Sequence, residues 1–132
     1  MLLFKPNLMM AIIEGNKTQT RRLWKKPHCK QGTIHQAKVK LFSPETYAFL
    51  HITDIHKEYL LTITEKDARK EGFENKKEFL EAWDQINPKT PFKTDPIVTV
   101  ITFEITPGTI KHYQTDMNKK IAYETMMQEV KQ

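Results

Sequence analysis

Between Glu14 and Glu45 this chain has neither Asp nor Glu. The same interval carries Lys17, Arg21, Arg22, Lys25, Lys26, Lys30, Lys38 and Lys40, eight of the 21 basic residues. The rest of the chain holds the other 13 against all 16 acids, so one segment creates the net charge of +5 over 132 residues. A concentrated positive field of this kind favours phosphate-bearing partners. Other scarcities exclude more. A single cysteine, Cys29, rules out an internal disulfide and suits a reducing compartment, so the expected location is cytoplasmic. His28, His35, His51, His56 and His112 show no metal-ligand spacing with that one thiol, so neither a metal nor a cofactor is expected. Four glycines and seven prolines are too few for a low-complexity chain, and no Gly-rich phosphate loop occurs. No apolar run approaches the roughly 20 residues that span a bilayer. The opening MLLFKPNLMMAII is interrupted at Lys5-Pro6-Asn7 and lacks the charge and cleavage pattern of a leader. What remains is one hydrophobic core's worth of chain with no membrane partner.

The periodicities predict mixed α and β structure. LLFK at 2–5 reads as a short strand ended by Pro6. Asn7 is placed to cap a short helix with Leu8, Met9, Ile12 and Ile13 inward, and Gly15 stops it. Extended chain is expected through 17–24, then a strand over 33–41 and another over 47–60. Thr64 with Asp67, and Asn75 with Glu78, are capping signatures for helices over 65–71 and 76–86. In the second helix Phe79, Leu80, Trp83 and Ile86 recur at helical spacing as a core stripe. A proline-punctuated loop over 89–96 leads to IVTVITFEI, a β-branched central strand. Tyr123, Met126, Met127 and Val130 form the stripe of a C-terminal helix that packs on the body or makes a dimer contact. The predicted class is α+β: a small mixed β-barrel with two or three short helices and a C-terminal helix.

The stretch EGNKTQTRRLWKKP at 14–27 poses the functional question. It can be a solvated basic loop, a nucleic-acid-binding strip, or the wall of an active site. The run FKPNLMMAIIEGNKTQTRR, followed later by ITEKDARKEGFENKKEFLEAW and VTVITFEI, resembles ASCH domains in the same order. The resemblance covers roughly residues 2–106 and implies a PUA-like barrel over 1–106, with 107–132 as a C-terminal extension. Within that family the pattern is most similar to the small N(4)-acetylcytidine amidohydrolases, whose reactive segment reads K-T-x-T-x-R. The resemblance implies Lys17 as proton acceptor, Thr20 as nucleophile and Glu71 as proton donor. It also implies RNA or a modified nucleoside as ligand. Thr18, Arg21, Arg22, Lys25 and Lys26 would serve in binding, with Trp24, and Phe42 or Tyr47, available to stack on a base.

The chemistry sets conditions on those residues. A threonine hydroxyl needs a base, and Lys17 can be that base only if its pKa falls well below about 10.4. Neighbouring Arg21, Arg22 and Lys25 would push it down, and burial would add to the push. On a regular strand Lys17 and Thr20 would face opposite sides, so a turn near Gly15-Asn16 is required. Glu71 must be desolvated to act as an acid; ionised, it would instead orient Lys17 or accept from the cytosine amine. Two other uses of the same cleft stay open. One is a non-catalytic RNA-binding module with the cations on phosphates. The other is a ribonuclease in which Lys17 stabilises the phosphorane.

Overall fold

The structure, a computed structural model, describes residues 1–40 and 46–106. The predicted C-terminal helix with its dimer contact, and Phe42, lie outside the described residues. Within them the chain runs β1 (Leu2–Leu3), α1 (Pro6–Ile13), β2 (Gln19–Arg22), β3 (Ile34–Lys38), β4 (Ala48–Tyr59), α2 (Glu65–Lys70), α3 (Lys76–Ile86) and β5 (Ile97–Ile105). Single 3-10 turns at Leu60–Thr62 and Phe92–Thr94 precede α2 and β5 respectively. No helix among the described residues is long and apolar enough to cross a membrane.

The strands form one mixed sheet in the order β1-β3-β4-β5-β2. The β1–β3 pair is parallel and the other three are antiparallel. Sheet and helices give the expected α+β class. The sheet curls far enough for its two edges to meet through a side chain: Arg22 Nη2 on β2 donates to Leu3 O on β1 at 2.7 Å. The barrel is therefore a half-barrel, closed at this point by a guanidinium rather than a ladder. A bulge between Ile52 and Asp54 bends β4, and the extra residue, Thr53, ties its hydroxyl to Thr102 O at 3.2 Å.

Local chemistry explains the helix ends. Thr64 Oγ1 accepts from Asp67 N at 3.1 Å and Asn75 Oδ1 from Glu78 N at 2.8 Å, so α2 and α3 start where their caps predict. Helix α1 departs from expectation. Its N-cap is Lys5, with no side-chain cap, and Asn7 lies inside the first turn. Pro6 decides this, because a ring with fixed φ and no N–H suits the first helical position, where a donor would be orphaned. Gly15 ends α1 at φ +83°. The 89–96 loop is fastened to α3: Trp83 Nε1 donates to Thr90 O at 2.9 Å and Phe92 N to Asp84 Oδ1 at 2.7 Å.

Two apolar clusters result. Met9, Ile12 and Ile13 of α1 pack with Leu50, Ile52, Ile101 and Phe103 inside the curve of the sheet. Ala68, Phe79 and Trp83 pack with Leu60, Ile63, Val98 and Val100 at the far ends of β4 and β5. Ile86, expected on the inward stripe of α3, is 47% exposed. It borders a cavity lined by residues of both clusters.

Candidate functional site

Two cations of the basic segment are folded inward. Lys17 is 2% exposed and Arg21 5%, whereas Lys25, Lys26 and Lys30 are exposed. The turn that carries Lys17 is fixed from three sides. Lys17 N and Asn16 N both donate to Ala11 O at the end of α1, Thr18 N donates to Lys70 O, and Thr18 O accepts from Phe103 N. Gly72, at φ +100°, lets the chain after α2 pass the Lys17 side chain, whose Cβ would lie 3.5 Å from any Cβ added there. Lys17 thus precedes β2 instead of lying on it.

Inside, the cations meet acids from other segments. Lys17 Nζ donates to Gln19 O and Glu71 O, both at 2.8 Å, and to Glu71 Oε1 at 3.1 Å. Arg21 Nη1 donates to Glu71 Oε2 at 2.9 Å and to Gln19 Oε1 at 2.7 Å. Its Nη2 donates to Glu58 Oε1 at 2.8 Å, and Asp67 Oδ2 stands 3.6 Å away. Thr20 Oγ1 accepts from Arg22 Nε at 3.2 Å. Among the described residues no buried side-chain polar atom lacks a hydrogen-bond partner.

Burial is the largest influence on Lys17 and holds its ammonium below the ordinary lysine range. Glu71 opposes that shift by attraction and hydrogen bonding, and Arg22 and Arg21 add smaller downward pushes. The expected direction therefore holds, but desolvation leads and charge repulsion follows. Glu58 shows the converse balance: burial resists its ionisation, and hydrogen bonds from Arg21 and His56 outweigh that, keeping its carboxyl below the usual range.

Lys17, Thr20, Arg21, Arg22 and Glu71 form the polar wall of a cavity of about 220 Å³. Leu3, Phe4 and Leu8 from the N-terminal segment, and Phe73, Phe79, Ala82, Trp83 and Ile86 from the α3 side, form its apolar wall. Exposed Leu23 and Ile86 stand at its rim. The structure thus gathers all three residues read as catalytic, together with Arg21 and Arg22. Thr18 faces shallower surface depressions instead. Trp24 packs on the α1 cluster, edge-on to His28 at 4.8 Å between ring centroids, and Lys25 and Lys26 project into solvent; none of these three lines the cavity. Tyr47 is buried in the core, away from any stacking role. Among the described residues no group of His, Cys, Asp or Glu has the arrangement of a metal site.

No protein-family model matches the chain, and no curated protein is similar to it in sequence. Solved structures are similar in fold. A protein of Enterococcus faecalis V583, described by the family model DUF984, superposes at a TM-score of 0.58 with 13% identity, over 80% of this chain and 79% of that one. An ASCH domain from Lactobacillus crispatus JV V101 superposes at 0.55 with 18% identity, over 74% and 69%. ASCH from Zymomonas mobilis superposes at 0.55 with 14% identity, over 79% and 67%. The chain has the ASCH fold.

Three features of this ASCH-fold site had no signal in the sequence. Gln19 was only the variable position of K-T-x-T, Glu58 lay near the end of a strand, and Asp67 was the partner of the Thr64 cap. All three contact Arg21, from 2, 37 and 46 positions away. The aromatic wall was missed for a different reason: Phe79 and Trp83 do belong to the core, and the same side chains also bound the cavity.

Proposed function

We propose that the cavity takes a single base, of RNA or of a free modified nucleoside, and removes an acyl group from its exocyclic nitrogen. N(4)-acetylcytidine is the reference substrate. One observation carries this reading: the buried Lys17 amine lies 3.1 Å from the Glu71 carboxylate, on the wall of a cavity that Thr20 also lines. Its volume is below the about 300–1,000 Å³ of drug-sized pockets, which suits one ring with a small substituent.

The buried pair supplies both proton carriers. Transfer of a proton from Lys17 to Glu71 Oε1 yields a neutral amine and a protonated carboxyl without changing the net charge. Burial of Lys17 favours the neutral amine. Lys17 then takes the Thr20 hydroxyl proton while Oγ1 attacks the acyl carbon. Glu71 protonates the amino nitrogen as its bond to the acyl carbon breaks, releasing cytidine and leaving an acyl ester on Thr20. Lys17 is an ammonium and Glu71 a carboxylate again, and a second transfer from Lys17 to Glu71 resets the pair. Lys17 takes a proton from the water that attacks the ester. That proton passes to Oγ1 as its bond to the acyl carbon breaks and the carboxylic acid leaves. Arg22 Nε, 3.2 Å from Thr20 Oγ1, stabilises negative charge as it builds on that oxygen.

The experiment is incubation with N(4)-acetylcytidine and chromatography of the products. Release of cytidine that disappears in Thr20→Ala and in Lys17→Met supports the reading. A folded wild-type protein that leaves the nucleoside intact refutes it.

A second reading draws on Lys17 itself. Its three acceptors use all three donors of an ammonium, the pattern of a charged structural lysine. In that case the cavity only holds a base while exposed cations such as Lys25 and Lys26 contact phosphates. Affinity for single-stranded RNA would then fall steeply with salt, and Thr20→Ala would change nothing measurable.

A further inference from the structure

A chain of side-chain contacts runs from the surface of β4 to Lys17. His56 bridges Asp54 Oδ2 at 2.7 Å and Glu58 Oε2 at 3.1 Å on the exposed face of the strand. The other oxygen of Glu58 takes both Arg21 Nη2 at 2.8 Å and Arg21 Nε at 3.3 Å. Arg21 in turn reaches Glu71 Oε2, and Glu71 Oε1 reaches Lys17. We infer that Glu58 is a positioning residue: by holding the outer edge of the Arg21 guanidinium it fixes how Glu71 divides itself between Arg21 and Lys17. This inference rests on the proposed deacylation only for its kinetic consequence. The geometry it asserts is independent of any reaction.

The physical case is a competition for one carboxylate. Arg21 is a rigid planar fork whose side chain is 1% exposed. It has one acid inside the site, Glu71, and two farther out, Glu58 and Asp67. Glu58 satisfies the Nε/Nη2 edge and leaves only Nη1 to Glu71. Without it, that edge has Asp67 at 3.6 Å as its remaining carboxylate, and the fork turns inward to engage Glu71 with both amines. Glu71 Oε1 then moves away from Lys17, whose only other acceptors among the described residues are the carbonyls of Gln19 and Glu71. Gln19 assists from the side: its Oε1 accepts from Arg21 while its Nε2 is anchored on Thr102 Oγ1 at 3.1 Å.

The test compares Glu58→Ala with Glu58→Gln by NMR, following the titration of Lys17 through its side-chain CH₂ and amine signals. Both variants remove the same charge, but only the glutamine keeps an acceptor for Arg21. The expected result is a Lys17 midpoint that falls further in Glu58→Ala than in Glu58→Gln, with the fold of both intact by amide spectra. Equal midpoints in the two folded variants would overturn the inference, because charge alone would then account for the effect. If Glu58→Ala fails to fold, Gln19→Ala against the wild type, which carry the same charge, reads the same hold on Arg21 from its other side, with a lower Lys17 midpoint expected in the variant and an unchanged one overturning the inference. Where the wild type turns over N(4)-acetylcytidine, Glu58→Ala should lose on the order of tenfold to a hundredfold in kcat with little change in KM, and Glu58→Gln should regain most of it. A wild type without turnover refutes the proposed deacylation and leaves the midpoints to decide this inference.

Discussion

Truncating Glu71 to alanine strands buried Lys17 and leaves buried Arg21 with Glu58 and Asp67 as its carboxylates, and the size of the damage follows from these surroundings. Lys17 and Arg21 lie 3.1 and 2.9 Å from the carboxylate. Neither can turn to water, being 2% and 5% exposed. Breaking one partner out of a buried ion pair costs about 3–5 kcal/mol. Small domains have about 5–15 kcal/mol in total, so roughly a fifth of the stability or more is at stake. For a chain of this size each kcal/mol moves Tm by roughly 3–5 °C, which puts the expected drop at roughly 10–20 °C. The loss also has a pH signature. Burial places the folded-state pKa of Lys17 below its unfolded value of about 10.4, and Glu71 is what limits that fall. Between the two values the unfolded chain binds the extra proton, so stability rises with pH across that window. Removing Glu71 lowers the folded value further and opens the window at lower pH. Glu71→Ala should therefore regain stability relative to wild type as pH rises from neutral toward the unfolded value of about 10.4. Urea unfolding of both proteins across that range measures it. A deficit below about 1 kcal/mol near neutral pH, the size of a surface pair, would refute the reasoning. So would a deficit that does not narrow with pH, since Lys17 would then not be the group in distress.

Thr20→Ala should abolish release of cytidine while leaving the melting temperature within a few degrees of wild type, because the variant loses only the contact from Arg22. Trp83→Phe removes the donor to Thr90 O and leaves a small void beside the cavity, costing about 1–3 kcal/mol by denaturant unfolding. Gly72→Ala places a side chain at φ +100° beside Lys17, and a loss of about 1–2 kcal/mol is expected; a neutral result would show that the turn relaxes freely. His56, raised above its usual value first by its hydrogen bond to Asp54 and then by Glu58, contributes stability below its unfolded pKa of about 6.5, which fades as pH climbs past the folded value. The Tm gap between wild type and His56→Ala should accordingly be wider at pH 5.5 than at pH 8.

How much of this was legible in the sequence depends on the range of each interaction. Helices α2 and α3 could be placed closely because Thr64 with Asp67 and Asn75 with Glu78 are three-residue signals, and both pairs make the bond they advertise. Strand β5 was legible from its β-branched run. The start of α1 was misplaced because a good cap residue, Asn7, competed with a proline whose preference for the first helical position prevailed. The residues of the candidate site were legible one by one, through Lys17, Thr20 and Glu71, but their arrangement was not. The acids that meet the basic segment come from 58, 67 and 71, and only the curl of the sheet and the end of α2 bring them to Arg21. Part of the charge segregation along the chain follows from this. The acid-free segment places Lys17 and Arg21 inside, where carboxylates from elsewhere partner them. A sequence window of any local width shows the surplus and hides the pairing.

The central claim is that the Lys17–Glu71 pair and Thr20 form a deacylating site. The most direct test is time-resolved release of cytidine from N(4)-acetylcytidine by the purified protein, with Lys17→Met, Thr20→Ala and Glu71→Gln measured beside it. Turnover by the wild type that is lost in all three variants is the predicted result. Turnover that survives Thr20→Ala, or a folded wild type that releases nothing, would contradict it.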